Sequence, residues 1–289
     1  MQTVNAYAKI NLSLDIVGER EDGYHLLRMV MQTLSLHDEI SLSRTEVGAV
    51  RILCDDRRVP VNEHNTCFKA AKLLLEEAGI KDGVEIKIKK LIPVAAGLAG
   101  GSSDAAAVMK AVNTEFSLGL SAEDLKERAV NIGADVPYCI LGGTALSEGI
   151  GERLTALKPL EEYEVLLVKP KEGVSTKEVY RAYDETKVAD HPDTDALVKE
   201  IGETGRLLPG AMENVLESVT IPLIPEIREI KETLKKSGCA KTLMSGSGPT
   251  VYAVYENTLI GRARAEDALT LMKRRFSDCK VMLTKTIQI

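Results

Sequence analysis

The chain has 289 residues, enough for two domains packed together, and its 44% apolar and 28% charged residues are the balance of an ordinary globular protein. A formal charge of −6, with no dense Lys/Arg cluster interleaved with aromatics, argues against a basic nucleic-acid-binding face. No apolar run reaches the roughly 18 residues of a membrane span, and residues 1–10 lack a basic stretch followed by an apolar block, so no transmembrane helix or secretory signal is expected.

From Ala6 to Ile16 the residues alternate. Ala6, Ala8, Ile10, Leu12, Leu14 and Ile16 point one way and Tyr7, Lys9, Asn11, Ser13 and Asp15 the other, which predicts a strand with one apolar face. Asn65 or Thr66 is placed to cap a helix running to Glu77 and stopped by Gly79. Val84, Ile86 and Ile88 alternate with charged residues in a second strand. Pro93 to Gly101 reads as a loop, and Ser102 or Ser103 opens an Ala-rich helix through Asn113. Ser121 and Asp124 form a capping pair for a helix ending near Gly133.

The second half begins near Pro159, with a buried strand over Glu164 to Val168 and a polar segment of mixed helix and loop from Glu172 to Arg206. Pro225 starts a helix that carries Ile227, Ile230 and Leu234 on one stripe and ends at Gly238. Strands are expected over Thr250 to Tyr255 and Val281 to Ile289, flanking a helix from Ala263 to Phe276. The elements lack a strict βαβ rhythm, which favours α+β over a doubly wound sheet. Domains are expected over residues 1–157 and 158–289.

The five cysteines (Cys54, Cys67, Cys139, Cys239 and Cys279) form no C-x-x-C pair. Reduced thiols in a cytoplasmic protein follow, and the four histidines have no metal-ligand spacing, so no metal site of the protein's own is expected.

The strongest chemical signal is Pro93-Val94-Ala95-Ala96-Gly97-Leu98-Ala99-Gly100-Gly101-Ser102-Ser103-Asp104. Glycines let a backbone turn tightly and bring several N–H groups to one point, and the helix that follows adds unpaired donors favourable to phosphate. No Lys follows the glycines, so this is not a Walker A loop, and the dinucleotide G-x-G-x-x-G spacing fails. A phosphate cradle is favoured over a flexible turn with a capped helix behind it.

The remaining signals are open taken singly. Lys9 and Asn11 are neighbours about 7 Å apart on one strand face, where periodicity alone favours a solvated lysine. Asp22-Gly23-Tyr24-His25 is turn chemistry that presents an aromatic ring beside an imidazole, suited to a planar base or simply a surface turn. In Gly133-Ala134-Asp135-Val136-Pro137, Asp135 is either a cap at a helix exit or a catalytic carboxylate. Ser245-Gly246-Ser247-Gly248-Pro249-Thr250 is a second glycine-rich loop, and two such loops suggest a ligand touched by backbone from two sides.

Together, Ala8-Lys9-Ile10-Asn11-Leu12, Arg20 to His25, Ile92 to Ala107, Gly133 to Pro137, Gly142 to Leu146 and Ser245 to Thr250 resemble the motifs of the GHMP kinase superfamily, in the expected order over nearly the whole chain. That resemblance implies an α+β fold of two domains with the active cleft between them, and ATP as phosphate donor with Mg²⁺ brought by the nucleotide. The Asp-Gly-Tyr-His and Gly-Ala-Asp-Val-Pro strings resemble the members that phosphorylate the 2-hydroxyl of a cytidine diphosphate-linked methylerythritol in the non-mevalonate route to isoprenoids. By the same resemblance Lys9 and Asp135 are catalytic, while Pro93 to Ser103 and Asn65 bind ATP. Asn11, Tyr24, His25, Tyr180, Gly246 and Ser247 contact the substrate, with Tyr24 and Tyr180 around the cytosine. Two departures stand out: Ala99 occupies a position where many members have Gly, and Tyr7 replaces a common Pro. The alternatives are a kinase acting on homoserine or a mevalonate derivative, and a non-catalytic ligand sensor.

Overall fold

A computed structural model describes residues 2–46, 48–186, 188 and 190–289; Lys187 and Ala189, inside the polar segment, fall outside it, as do Met1 and Val47. In chain order the first elements are β1 (Gln2–Glu19), β2 (His25–Thr45), β3 (Val50–Cys54), α1 (Thr66–Glu77), β4 (Gly83–Lys89), α2 (Gly100–Glu115), α3 (Ala122–Ala129) and α4 (Val136–Leu141). There follow β5 (Thr144–Gly149), β6 (Arg153–Ala156), β7 (Tyr163–Lys169), α5 (Thr176–Asp184), α6 (Thr194–Thr204), α7 (Glu217–Leu223), α8 (Glu226–Lys235), β8 (Lys241–Met244), β9 (Val251–Glu256), α9 (Leu259–Arg275) and β10 (Lys280–Lys285). Strands and helices mix in the α+β manner expected.

The chain divides into two compact units. The first comprises Met1–Ala8, Leu36–Val94 and Ala99–Gly142. In it the end of β2 pairs antiparallel with β4, and β3 lies parallel to β4. Ile40, Leu42, Val84, Ile86 and Ile88 pack with Ala70, Ala71 and Leu74 of α1 and the alanine run Ala105–Ala106–Ala107 of α2 in one core. Small side chains on α2 let it approach α1 closely. α1 is capped as predicted: Asn65 Oδ1 accepts from Cys67 N–H. Ser121 and Asp124 make the predicted capping box at α3, each side chain bonded to the other's backbone N–H.

The second unit comprises Lys9–Ser35, Ala95–Leu98 and Gly143–Ile289. Leu27 to Gln32 of β2 pair antiparallel with β5, which pairs with β6. A four-stranded antiparallel sheet, in the order β10-β7-β9-β8, is covered by α8 and α9. Val165, Leu166, Leu167 and Val168 of β7 are all buried, the continuous apolar run of a strand packed on both faces.

Three expectations about boundaries are corrected. α2 starts at Gly100 rather than at Ser102 or Ser103, because Ala99 adopts the left-handed conformation (φ 56°) and ends the loop there. α9 starts at Leu259, four residues before Ala263, since Thr258 Oγ1 accepts from Gly261 N–H and caps it. The last strand ends at Lys285. The polar segment resolves into α5 and α6, and the 21-residue β2 was not anticipated.

Candidate active site

The loop from Pro93 to Ser103 is wound by three positive φ angles at alternate positions, 52° at Ala95, 72° at Gly97 and 56° at Ala99. Alanine tolerates this region at a cost of roughly 1–2 kcal/mol, whereas Gly97 has a stricter reason. A Cβ there would lie 2.2 Å from the Ser245 carbonyl oxygen and 3.0 Å from that of Gly248. The Ser245 hydroxyl donates to the Gly97 carbonyl at 2.9 Å, and Gly246 sits at φ +58° against the same carbonyl. The two glycine-rich stretches therefore touch at Gly97. Ala96 and Leu98 are buried and anchor the turn, and the Leu98 carbonyl accepts from Lys9 N–H.

Beyond the loop, α2 presents an N-terminus suited to an anion. Its N-cap residue, Ala99, has no capping side chain, and no acidic residue stands in its first turn. The backbone donors there have no helical acceptor, and the macrodipole favours negative charge. Ser103 contributes no hydroxyl to that turn: its Oγ donates to the Tyr7 carbonyl at 2.6 Å. Thr66 Oγ1 donates to the Gly101 carbonyl at 2.8 Å, which sets the start of α1 against the loop. Asn65 is 5% exposed, and its side-chain N–H also donates to the Pro60 carbonyl.

Lys9 overturns what periodicity alone favours. It is 4% exposed, its Nζ donates to Asn11 Oδ1 at 2.7 Å, and Asn11 and Ser13 are fully buried. Asn11 Nδ2 reaches Met29 Sδ, and the Tyr252 hydroxyl donates to the Asn11 carbonyl at 2.8 Å. Burying an ammonium is costly unless it is paired and hydrogen-bonded, so a lysine held here has a use for its charge. Asp135 occupies the N-cap position of α4 yet makes no capping hydrogen bond with its side chain, which removes the cap as the reason for a carboxylate at this position.

A third cluster is aromatic. Gly23 (φ +84°) turns the chain so that Arg20 N–H donates to the Tyr24 carbonyl at 2.8 Å, leaving the Tyr24 side chain exposed. The His25 and Tyr180 rings lie 4.9 Å apart at 34°, and Tyr183 meets His25 edge-on at 6.3 Å. His25 Nε2 is 2.6 Å from Asp184 Oδ1. The fold thus brings His25 to Tyr180 across more than 150 residues of sequence. Ser247 Oγ bonds Thr176 Oγ1 at 3.0 Å, joining the second glycine loop to the start of α5.

Several residues escaped sequence reasoning. Tyr183 and Asp184 lie three and four positions after Tyr180 on one helix, a spacing that could have flagged them. Asn214 carried no such signal. Its Nδ2 donates to the Met244 and Gly246 carbonyls, both at 2.8 Å, while Oδ1 accepts from Leu216 N–H, so it holds the second loop. All five cysteines are free thiols. No helix of the described residues is long and apolar enough to cross a membrane.

Comparison with known proteins bears on this arrangement. Residues 65–143 match the model of the GHMP kinases N terminal domain and residues 194–270 that of the GHMP kinases C terminal domain. A 4-diphosphocytidyl-2-C-methyl-D-erythritol kinase of Clostridium beijerinckii is 48% identical over 98% of this chain and 99% of its own length. A crystal structure of 4-(cytidine 5'-diphospho)-2C-methyl-D-erythritol kinase superposes with a TM-score of 0.82 at 31% identity, covering 99% of each chain. A homoserine kinase from Cytophaga hutchinsonii has a TM-score of 0.74 at 20% identity over 100% of this chain and 95% of its own, a likeness of fold alone. With both family domains in order and a relative this similar from end to end, the chain belongs to the GHMP kinase family.

Proposed function

We propose that this protein transfers the γ-phosphate of ATP to the 2-hydroxyl of 4-diphosphocytidyl-2-C-methyl-D-erythritol, in the methylerythritol phosphate route to isoprenoids. The observation that carries the reading is the close, tilted His25–Tyr180 ring pair in a chain otherwise built as a GHMP kinase. An aliphatic acceptor such as homoserine or mevalonate needs no aromatic clamp, whereas a cytosine does. The names of the full-length relatives point the same way.

Phosphoryl transfer asks mainly for positioning and charge stabilisation. Backbone N–H groups from Gly97 to Ser102 hold the polyphosphate, the Ser103 N–H being taken by the Ala99 carbonyl, and Asn65 stands at the adenine side. Asp135 accepts the hydrogen bond of the acceptor hydroxyl and orients it. A carboxylate is a weak base towards an alcohol, so alignment matters more than early proton removal. Lys9 offsets negative charge developing on the transferred group, and Asn11, Gly246 and Ser247 contact the substrate. Tyr24 and Tyr180 flank the cytosine and His25 bonds its edge. Mg²⁺ brought with the nucleotide would neutralise part of its phosphate charge. The functional division into residues 1–157 and 158–289 keeps each family domain whole, and small-molecule substrates with free thiols suit a cytoplasmic enzyme.

A coupled assay of ADP release with the cytidylylated polyol, homoserine and mevalonate side by side tests the reading. Turnover is expected with the first alone; turnover with homoserine or mevalonate and none with the cytidylylated polyol would overturn it.

A further inference from the structure

A buried charged cluster that this mechanism leaves unused lies under the first turns of α2. Lys90, just after β4, keeps only 5% of its side chain exposed. Its Nζ donates to Asp104 Oδ2 at 2.7 Å and also to Asp38 Oδ2, and both carboxylates are buried. Asp38 is fully engaged, since its Oδ1 also accepts from Leu91 N–H (2.6 Å) and Ile92 N–H (2.8 Å). Asp104 is not: its Oδ1 is buried without a hydrogen-bond partner. The cluster lies directly against the loop. Asp104 follows Ser103 in the chain, and Lys90 Nζ is close enough to Gly100 that a Cβ there would meet it at 3.3 Å.

Stability alone does not account for such a cluster, because well-packed apolar side chains are often at least as stable as a buried ion triad. Its charge is the informative quantity. With Asp38 and Lys90 ionised, the cluster is neutral when Asp104 carries a proton and −1 when it does not. A net negative charge beneath the start of α2 opposes the positive end of the helix dipole and repels an incoming polyphosphate.

We propose that Asp104 is a positioning residue for the nucleotide: through Lys90 it fixes the first turn of α2, and it is protonated when the polyphosphate is bound. This rests on the reading of that turn as the ATP site. Burial, reinforced by Asp38 and opposed by Lys90, pushes the Asp104 carboxyl up to about 7, so its proton is exchanged in the working range. Burial raises the thiols of Cys67 on α1 and Cys54 on β3. Lys110, further along α2, interacts with Cys139 of α4, while Lys126 and Arg128 of α3 pair with Glu123 and Glu77. Because the protonated form binds ATP better, affinity falls as pH rises through about 7.

The test compares KM for ATP and kcat of the wild type and Asp104→Asn between pH 6 and 8.5. The nucleotide's own ionisation is common to both proteins and cancels. KM for the wild type should rise about fivefold more than for the variant across that range, with the variant staying near the wild-type low-pH value and the kcat profiles coinciding. Independently of the variant's folding, calorimetry of ATP binding to the wild type at pH 7.5, in two buffers of different ionisation enthalpy, should show net proton uptake. Parallel KM profiles, or binding without proton uptake, would overturn the proposal while leaving the ATP site standing. A wild type that binds no ATP at any pH would remove the site and the proposal together.

Discussion

Gly97→Ala tests the geometry on which the proposed nucleotide site depends. The new Cβ would sit 2.2 Å from the Ser245 carbonyl oxygen, a backbone atom that no rotamer change can move. Restoring ordinary contact separates the two glycine loops by about 1 Å, and a displacement of that size at a reacting centre costs roughly 100-fold in rate. Stability suffers as well: φ +72° is strained for alanine by roughly 1–2 kcal/mol. Losing the Ser245 hydroxyl bond to the Gly97 carbonyl adds about 1 kcal/mol. Steady-state kcat/KM for ATP should therefore fall about 100-fold or more, with a lowered melting temperature and unchanged far-UV circular dichroism. A variant with near-wild-type kcat/KM would refute the idea that contact between these loops sets the phosphate geometry.

Lys9→Ala and Asp135→Ala should each abolish most of kcat while the protein remains folded; near-normal turnover by purified Asp135→Ala would remove that residue from the mechanism. Tyr24→Ala should raise KM for the cytidylylated substrate by the equivalent of roughly 1–3 kcal/mol of lost stacking and leave KM for ATP alone, as initial-rate kinetics would reveal. Asn214→Leu strips three hydrogen bonds from buried backbone around the second glycine loop, and urea denaturation should register a loss of about 2–4 kcal/mol; a loss below ~0.5 kcal/mol would mean the loop holds itself.

Much of this fold could be read locally. Where an element's signal lies in its own residues it was legible: the Asn65 cap, the Ser121–Asp124 box, the Ile227–Ile230–Leu234 stripe of α8 and the alternation of β4 all stand as the side chains dictate. The errors came where conformation is decided from outside the window. Ala99 takes a left-handed conformation against its own preference, and no neighbouring residue announces it. β2 escaped because its alternation is blurred, with Met29 to Leu34 buried on both faces.

The largest miss and the most useful observation are the same residue. Alternation along β1 assigns Lys9, Asn11 and Ser13 to a wet face because period-2 reasoning assumes that one side of a strand meets water. Here the polar face is covered as thoroughly as the apolar one: Asn11 and Ser13 are fully buried and Lys9 nearly so. A strand buried on both sides is normally apolar on both, since each polar group enclosed must find a partner. β1 instead encloses Lys9 on Asn11, Asn11 under Tyr252 and Ser13 on Thr194, a row of satisfied polar contacts where valines would pack with less constraint. Such an arrangement has little to recommend it for stability alone, which is what recommends it for the role proposed above. The same logic singles out Asp104, whose orphaned oxygen lies beneath the glycine-rich turn.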